Sequence, residues 1–246
     1  MVALSMNLFK KYKLKAKYSF VEVKEKDFDN VVIKKIQSKT THGFNVTIPY
    51  KKRIIKHLDV QNIHAKNIRA VNCVTVGKKI RGKNTDWEGY LKSIKDEKLN
   101  KNKKIIILGY GGASQAIYYG FLKRGYKNVL VFNRSKKLTK VKGVKRYTKE
   151  YKLINKYLAD ADLIINTTPT NPLNSKQNKI IKNNTIISDI VYSPKETVFL
   201  KNFRENKKIY GISMLLGQAT LCFYEWFGFI PMMDKTLLKK LKTKTK

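Results

Sequence analysis

Residues Lys103–Lys137 read KKIIILGYGGASQAIYYGFLKRGYKNVLVFNRSKK, in the order strand, glycine turn, helix, turn and strand. The apolar run at 105–108 is typical of a strand that is buried on both faces, and the glycines follow it without a spacer. Small and apolar residues then recur at helical spacing as far as Gly125, which stands where a helix would be capped. This order predicts half of a nucleotide-binding α/β fold, with a helix from about Gly111 to Arg124.

The glycine turn has the residue types that a phosphate site requires. Gly109 permits the sharp reversal from strand to helix, and Gly111 leaves no side chain between backbone N–H groups and a pyrophosphate. Ser114 occupies the third position of the fingerprint, where Gly or Ala is usual, and keeps the volume small. The alternative interpretation is an ordinary βαβ unit whose glycines only form a tight turn.

The end of the second strand indicates which dinucleotide the fold takes. Val129–Phe132 is followed by Asn133, Arg134 and Ser135, where an NAD-binding unit usually carries Asp or Glu for the ribose 2′-hydroxyl. An acid would repel a 2′-phosphate, whereas Arg134 can bind one through two hydrogen bonds. The sequence therefore favours NADP(H) over NAD, unless Arg134 is only a surface cation.

Composition limits the remaining classes of function. The chain has 246 residues and a formal net charge of +36, but its basic residues are mostly Lys and are scattered along the whole length. Without Arg and aromatic residues interleaved on one element, this charge indicates solvated lysines and no specific nucleic-acid partner. No apolar run approaches the ~18 residues of a membrane span, so we expect no membrane association.

The few cysteines and histidines show no spacing that is typical of metal ligands. Cys73 and Cys222 stand far apart, and no HExxH pattern occurs. We therefore expect a reduced, cytoplasmic protein without a metal.

Ahead of the glycine turn, a polar pair stands at the end of a predicted strand. The pattern predicts a helix end and a strand around Tyr18–Val23, a helix near Phe28–Ser38, a strand from Gly43 that stops at Pro49, and a further strand at Ala70–Val74. The hydroxyl of Thr47 and the ammonium of Lys51 suit an oxygen-rich substrate, although a lysine in so basic a chain is more often a surface residue.

Four motifs occur in the order NVTxPxK at 45–51, AVN at 70–72, GxNTDxxG at 82–89 and GxGGAxxA at 109–116. Together they resemble the motifs of the shikimate dehydrogenase family, whose members reduce 3-dehydroshikimate to shikimate with NADPH. Later segments are similar to the family's third Rossmann strand at 163–169, its DxxYxPxxT turn at 189–197 and its GxxMLxxQA helix at 211–219.

One block of the family pattern is missing. Family members begin with a strand and a Ser-x-Ser-Pro loop that binds the substrate carboxylate, whereas this chain starts inside the helix that follows, and Ser5 is not at the position of that loop. We expect a truncated start rather than a lost carboxylate site, and lower stability than a chain that carries the strand. The alternative is a family member that binds the cofactor without turning over substrate.

The resemblance implies roles for individual residues. Lys51 would be the general acid and Asp86 its carboxylate partner. Substrate contacts would come from Thr47, Asn72, Tyr192 and Gln218. Cofactor contacts would come from Gly109, Gly111, Gly112, Ala113, Asn133, Arg134, Ser135, Thr167, Gly211 and Met214. Asn72, Tyr192 and Met214 could also be purely structural.

The resemblance also implies an architecture. We expect an α/β protein with a Rossmann NADP-binding domain at 85–210, a substrate-binding α/β domain formed by 1–84 and 211–246, and an active site in the cleft between them. Its partner would be the small molecule 3-dehydroshikimate or shikimate, in aromatic amino-acid (chorismate) biosynthesis. We expect a monomer or homodimer, and quinate dehydrogenase is the nearest alternative activity.

Overall fold

The computed structural model describes residues 2–138, 141 and 148–233, which form two β-sheets and the helices that cover them. The helices are α1 Val2–Lys11, α2 Phe28–Gln37, α3 Ile63–Ile68, α4 Asp86–Ser93, α5 Gly112–Lys123, α6 Asn155–Leu158, α7 Ser175–Ile180, α8 Val198–Lys201 and α9 Gly211–Phe227. The strands are β1 Gly43–Asn45, β2 Val60–Gln61, β3 Cys73–Thr75, β4 Arg81–Lys83, β5 Ile105–Leu108, β6 Val129–Asn133, β7 Lys149–Glu150, β8 Leu163–Asn166, β9 Ile186–Asp189 and β10 Lys208–Ile209.

The larger sheet is parallel throughout, in the order β10-β9-β8-β5-β6-β7. Ile105 and Ile107 of β5 face one apolar core, and Ile106 and Leu108 face the other, so both faces are buried. The strand order reverses between β5 and β8, which opens a crevice at their carboxyl ends. The predicted α/β class is confirmed.

The glycine turn joins β5 to α5 at this crevice. Gly109 has a φ of +94°, a conformation that L side chains rarely adopt, and Gly111 precedes the first residue of the helix. Gly125, with a φ of +81°, follows the end of α5. The helix predicted from about Gly111 to Arg124 is confirmed to within one residue at each end.

The smaller sheet has the order β1-β3-β4-β2, in which only the β2–β4 pair is parallel. Helix α2 covers it through a core that contains Phe28, Val32, Ile54, Val71 and Val74. Helix α1 lies against α9 through a second apolar cluster, made of Leu4, Leu8, Phe9, Ala219 and Phe223.

The strand predicted around Tyr18–Val23 is wrong, because residues 14–24 belong to neither sheet. The segment is held by tyrosine hydroxyls instead: Tyr18 donates to Asn45 Oδ1 at 2.7 Å, and Tyr50 donates to the carbonyl of Val23 at 2.7 Å. A strand requires a backbone ladder with a neighbour, which a β-prone sequence alone does not supply.

The other two strand predictions in this part of the chain were too long. The strand predicted to stop at Pro49 ends at Asn45, since a turn in which Tyr50 N donates to Thr47 O follows at once. The strand predicted at 70–74 begins at Cys73, so Asn72 lies just before it.

Helix α4 lies between α9 and α5 and so connects the two sheets. The backbones of α4 and α9 touch: a Cβ on Gly217 would lie 2.6 Å from the carbonyl oxygen of Gly89, and one on Gly89 would lie 2.5 Å from the nitrogen of Gln218. This contact brings Gln218 close to the first turn of α4. Among the described residues, no helix has the length and apolarity needed to cross a bilayer.

A histidine joins α3 to the helix that follows the glycine turn. His64 Nδ1 and the hydroxyl of Tyr119 share a hydrogen bond of 2.7 Å, and the imidazole also contacts the ring of Trp87. Burial lowers the pKa of His64; Lys123 and Lys83 lower it further, and Glu88 opposes them.

We expect His64→Gln to reduce the loss of stability at acid pH. The folded chain favours the neutral imidazole, whereas the unfolded chain takes up the proton near pH ~6.5, so stability falls as the pH drops below that value. Glutamine can still bond to Tyr119 but does not titrate. Urea denaturation at pH 8 and pH 5 measures the difference. The exposed His42, changed to Gln, is the control, and an unchanged pH dependence in His64→Gln would contradict this role.

Candidate active site

Four of the predicted site residues come from separate elements and form one hydrogen-bonded cluster. Lys51 Nζ donates to Asp86 Oδ2 at 2.6 Å, and Asn72 Nδ2 donates to Asp86 Oδ1 at 2.9 Å. The same Asn72 amide lies 3.4 Å from Oε1 of Gln218. Both oxygens of the carboxylate are therefore engaged, one by a cation and one by a neutral amide.

The start of α4 holds this carboxylate in place. Asp86 is the first residue of the helix, where the free backbone N–H groups and the helix dipole favour a negative charge. Asn72 is fixed from both sides, because its Oδ1 accepts from Thr85 N at 2.7 Å while its Nδ2 reaches Thr85 Oγ1 at 2.9 Å. The amide of Asn72 is thereby oriented with its N–H groups toward Asp86.

The Lys51–Asp86 ion pair is largely removed from water: the side chains are 14% and 7% exposed. Charges in such surroundings interact more strongly than at the surface, so the ammonium of Lys51 has a defined position. An ammonium has three donors, of which one points at Asp86. Such a group can donate both a hydrogen bond and a proton to a substrate oxygen beside it.

The stem of Lys51 also reaches the glycine turn. A Cβ on Gly112, the first residue of α5, would lie 3.8 Å from Lys51 Cδ. The cluster on the smaller sheet therefore meets the turn at the edge of the larger sheet, and the two form one crevice.

The glycine turn fits a dinucleotide pyrophosphate. In the described part of the chain, no heavy atom outside Gly111 and its two chain neighbours lies within 4 Å of a Cβ placed on Gly111, so this approach to the first turn of α5 is open. Behind it the turn is closely packed: a Cβ on Gly109 would lie 2.8 Å from Thr168 Cγ2 and 2.9 Å from Thr167 Oγ1. Ser114 Oγ donates to the carbonyl of Gly109 at 2.7 Å, so the serine that stands where Gly or Ala is usual has a structural role in the turn.

The three residues predicted for the 2′-phosphate lie at the end of β6, on the same edge of the sheet. Asn133 Nδ2 donates to the carbonyl of Ser135 at 3.0 Å, and Thr148 Oγ1 donates to that carbonyl at 3.3 Å. The loop is thus braced from two sides while Arg134 is exposed. An exposed guanidinium beside a phosphate-binding turn fits a ligand with a second phosphate.

The structure does not bring the remaining predicted residues into the Asn72 cluster. Thr47 and Tyr192 are exposed, and in the described hydrogen bonds neither side chain joins the Asn72 cluster. Gly211 begins α9 against the loop that carries Tyr192, since a Cβ there would lie 2.5 Å from the carbonyl oxygens of residues 190 and 191. Met214 is buried in the apolar core next to the larger sheet.

Sequence reasoning missed a second group of hydrogen bonds beneath the cluster, made by Asn45, Thr85 and Cys222. Cys222 Sγ lies 3.3 Å from Thr85 Oγ1 and accepts from Asn45 Nδ2 at 3.1 Å, and Asn45 also donates to the carbonyl of Asn72 at 3.0 Å. Burial, together with the neighbouring thiol of Cys222, raises the pKa of Cys73. The only sequence signal was the position of Asn45 inside the NVTxPxK motif.

Comparisons with known proteins match both parts of the chain to one family. The family model described as "Shikimate dehydrogenase substrate binding domain" matches residues 2–74, and the model described as "Shikimate / quinate 5-dehydrogenase" matches residues 92–197. Both span parts of the crevice: the first includes Lys51 and Asn72, and the second includes the glycine turn.

Individual relatives match over most of their length. The chain is 37% identical to a shikimate dehydrogenase (NADP(+)) of Methanococcus vannielii, over 94% of this chain and 89% of that one. It is 34% identical to one of Dictyoglomus thermophilum, over 90% of this chain and 85% of that one. The crystal structure of shikimate dehydrogenase from Aquifex aeolicus superposes with a TM-score of 0.85 at 30% identity, covering 97% of this chain and 91% of that one.

Proposed function

Since this chain belongs to the shikimate dehydrogenase family, we propose that Lys51 and Asp86 carry the proton transfer of its reaction. The enzyme is an NADP-dependent oxidoreductase acting on a CH–OH group, and it interconverts 3-dehydroshikimate and shikimate in aromatic amino-acid biosynthesis. The observation that carries the catalytic proposal is the 2.6 Å ion pair beside the glycine turn.

The protein's own groups stabilise and protonate the substrate oxygen. NADPH, when bound, supplies the hydride that reduces the C3 carbonyl carbon. Lys51 donates a hydrogen bond to the carbonyl oxygen as negative charge develops there, and then transfers the proton. Asp86 orients the ammonium, and Asn72 holds the other oxygen of that carboxylate, so the ion pair requires little reorganisation during the reaction.

The neutral polar groups of the cluster suit a ring with several hydroxyls. We assign Asn72, Gln218 and Thr47 to the ring hydroxyls, and Tyr192 to the substrate carboxylate or ring. The buried amides of Asn72 and Gln218 would lose a partner if a hydroxyl were absent, which penalises deoxy analogues.

The cofactor would lie along the carboxyl edge of the larger sheet. Gly109, Gly111, Gly112 and Ala113 would surround the pyrophosphate, with Asn133, Arg134 and Ser135 at the 2′-phosphate and Thr167, Gly211 and Met214 at the nicotinamide end. We propose the corresponding division into a cofactor domain at 85–210 and a substrate domain at 1–84 and 211–246. In support, every strand of the parallel sheet falls between residues 105 and 209.

The proposed cellular setting is the cytoplasm. Cys73 and Cys222 are neighbours beneath the site, yet both are free thiols, as is typical of a reducing compartment. One chain contributes every residue of the proposed site, so a monomer or a homodimer would be competent.

Steady-state kinetics on the purified chain test the function. We expect NADPH oxidation with 3-dehydroshikimate and NADP reduction with shikimate, both faster than with the NAD couple. Faster turnover of quinate with NAD would identify a quinate dehydrogenase instead. Calorimetric titration with NADPH provides an independent measurement, and cofactor binding without any turnover would contradict the catalytic assignment.

A further inference from the structure

A buried carboxylate outside the proposed catalytic pair lies at the carboxyl ends of the strands of the larger sheet, where the glycine turn also lies. Asp189 ends β9 and is only 1% exposed. Its Oδ2 accepts from Thr197 Oγ1 at 2.7 Å and from Asn166 Nδ2 at 3.2 Å, and its Oδ1 accepts from Val191 N at 2.9 Å. Burial raises the pKa of Asp189, and these three donors act in the opposite direction. Burying a carboxylate is costly, so this arrangement needs a structural or functional reason.

One of the three donors connects Asp189 to the cofactor side of the crevice. Asn166 ends β8 and lies opposite Asp189 in the strand register. Its Oδ1 accepts from both the backbone nitrogen and the hydroxyl of Thr168, at 3.0 and 2.8 Å, and its Nδ2 also donates to the carbonyl of Thr170 at 3.1 Å. Thr168 in turn lies against Gly109, so loop 167–170 packs behind the glycine turn.

The other two donors connect Asp189 to the substrate side. Val191 and Thr197 lie near the two ends of the loop that carries Tyr192, and Thr197 also caps helix α8 through Leu200 N. Residues 190 and 191 of this loop rest against Gly211, where α9 begins. The position of the loop therefore affects both Tyr192 and the start of the helix that carries Gln218.

We infer that Asp189 is a positioning residue that sets the distance between the cofactor-side loop 167–170 and the substrate-side loop 190–197. An ionised carboxylate accepts from Asn166, which bonds to the cofactor-side loop, and from Val191 and Thr197 on the substrate-side loop, and it offers no N–H of its own. An amide in its place must turn an NH2 group toward at least one donor, which frees one loop while nearly preserving volume. The inference rests on the proposed function, because it assigns each loop to one of the two ligands.

Asp189→Asn tests the inference. We expect kcat to fall about 10- to 100-fold and the KM for shikimate to rise, since small misplacement of reacting groups is costly. Thr185→Val is the matched control. Thr185 is buried just before β9, at the end of that strand opposite to Asp189, and it donates to the carbonyl of Ala161 at 2.8 Å. This control should lose stability but keep kcat and both KM values.

A double variant that exchanges the side chains of positions 166 and 189 separates a positioning role of Asp189 from a general loss of stability. In Asn166→Asp with Asp189→Asn, the bond between positions 166 and 189 is restored in the reverse direction while the bond from residue 166 to the carbonyl of Thr170 is lost, so we expect only part of the lost kcat to return. The milder Thr197→Val removes one donor from the substrate-side loop; it should raise the KM for shikimate several-fold and leave NADPH binding unchanged.

Two results would overturn the inference. One is a folded Asp189→Asn with wild-type kcat and KM values, and the other is a Thr197→Val with an unchanged KM for shikimate. Failure of the proposed function has a different signature, because the unmodified chain itself would then show no turnover of shikimate.

Discussion

Changing Lys51 to methionine lowers kcat for 3-dehydroshikimate reduction about a thousandfold, within the ~10²- to 10⁴-fold range of general acid catalysis. The variant loses the ammonium that bonds to Asp86 at 2.6 Å and that we propose protonates the substrate oxygen. Methionine keeps an unbranched stem, so the contact with the glycine turn near Gly112 is retained. We therefore expect the Kd for NADPH to stay close to that of the unmodified chain.

The control for this experiment is Lys78→Met. Lys78 is exposed on the turn between β3 and β4, away from the crevice, and its change should leave kcat and both KM values unaltered. A Lys51→Met variant that binds NADPH and keeps wild-type kcat would exclude Lys51 as the general acid.

Changing Arg134 to leucine should raise the KM for NADPH about 10- to 100-fold while the KM for NADH stays nearly constant. A hydrogen bond to a charged group contributes ~1.5–3 kcal/mol, which corresponds to that range at ~1.36 kcal/mol for each tenfold change. NADH lacks the 2′-phosphate and therefore gains nothing from the guanidinium. The ratio of the two KM values is the measurement, because a general loss of folded enzyme would not change it.

Arg124→Leu is the matched control for the cofactor experiment. Arg124 is an exposed arginine at the far end of α5, so its removal changes the net charge equally without touching the proposed phosphate site. An equal rise in KM for NADPH and NADH in Arg134→Leu would show that Arg134 acts on the fold of the loop and not on the 2′-phosphate.

Sequence pattern alone was enough to predict the parallel sheet, the glycine turn and the helix that follows. These features depend on residues that are neighbours in the chain: a strand buried on both faces is continuously apolar, and a turn with positive φ requires glycine at Gly109. The preference for NADP also followed locally, since Arg134 comes directly after β6. The prediction of a strand around Tyr18–Val23 was wrong because a strand depends on residues distant in the chain. It forms only where a second segment of the chain lies beside it.

The assembly of the site depends on how distant parts of the chain pack together. Motif resemblance pointed to Lys51, Asp86, Asn72 and Gln218, but their hydrogen bonds depend on where β3, α4 and α9 meet. Asn45, Asp189 and Thr197 stand in motifs of the sequence, but the motifs do not indicate that Asn45 bonds to Cys222 or that Thr197 bonds to Asp189. A buried polar contact joins residues that are distant in the chain, and its geometry is set by the packing of whole elements. Local periodicity therefore predicts the elements, whereas the folded chain alone determines which polar groups meet.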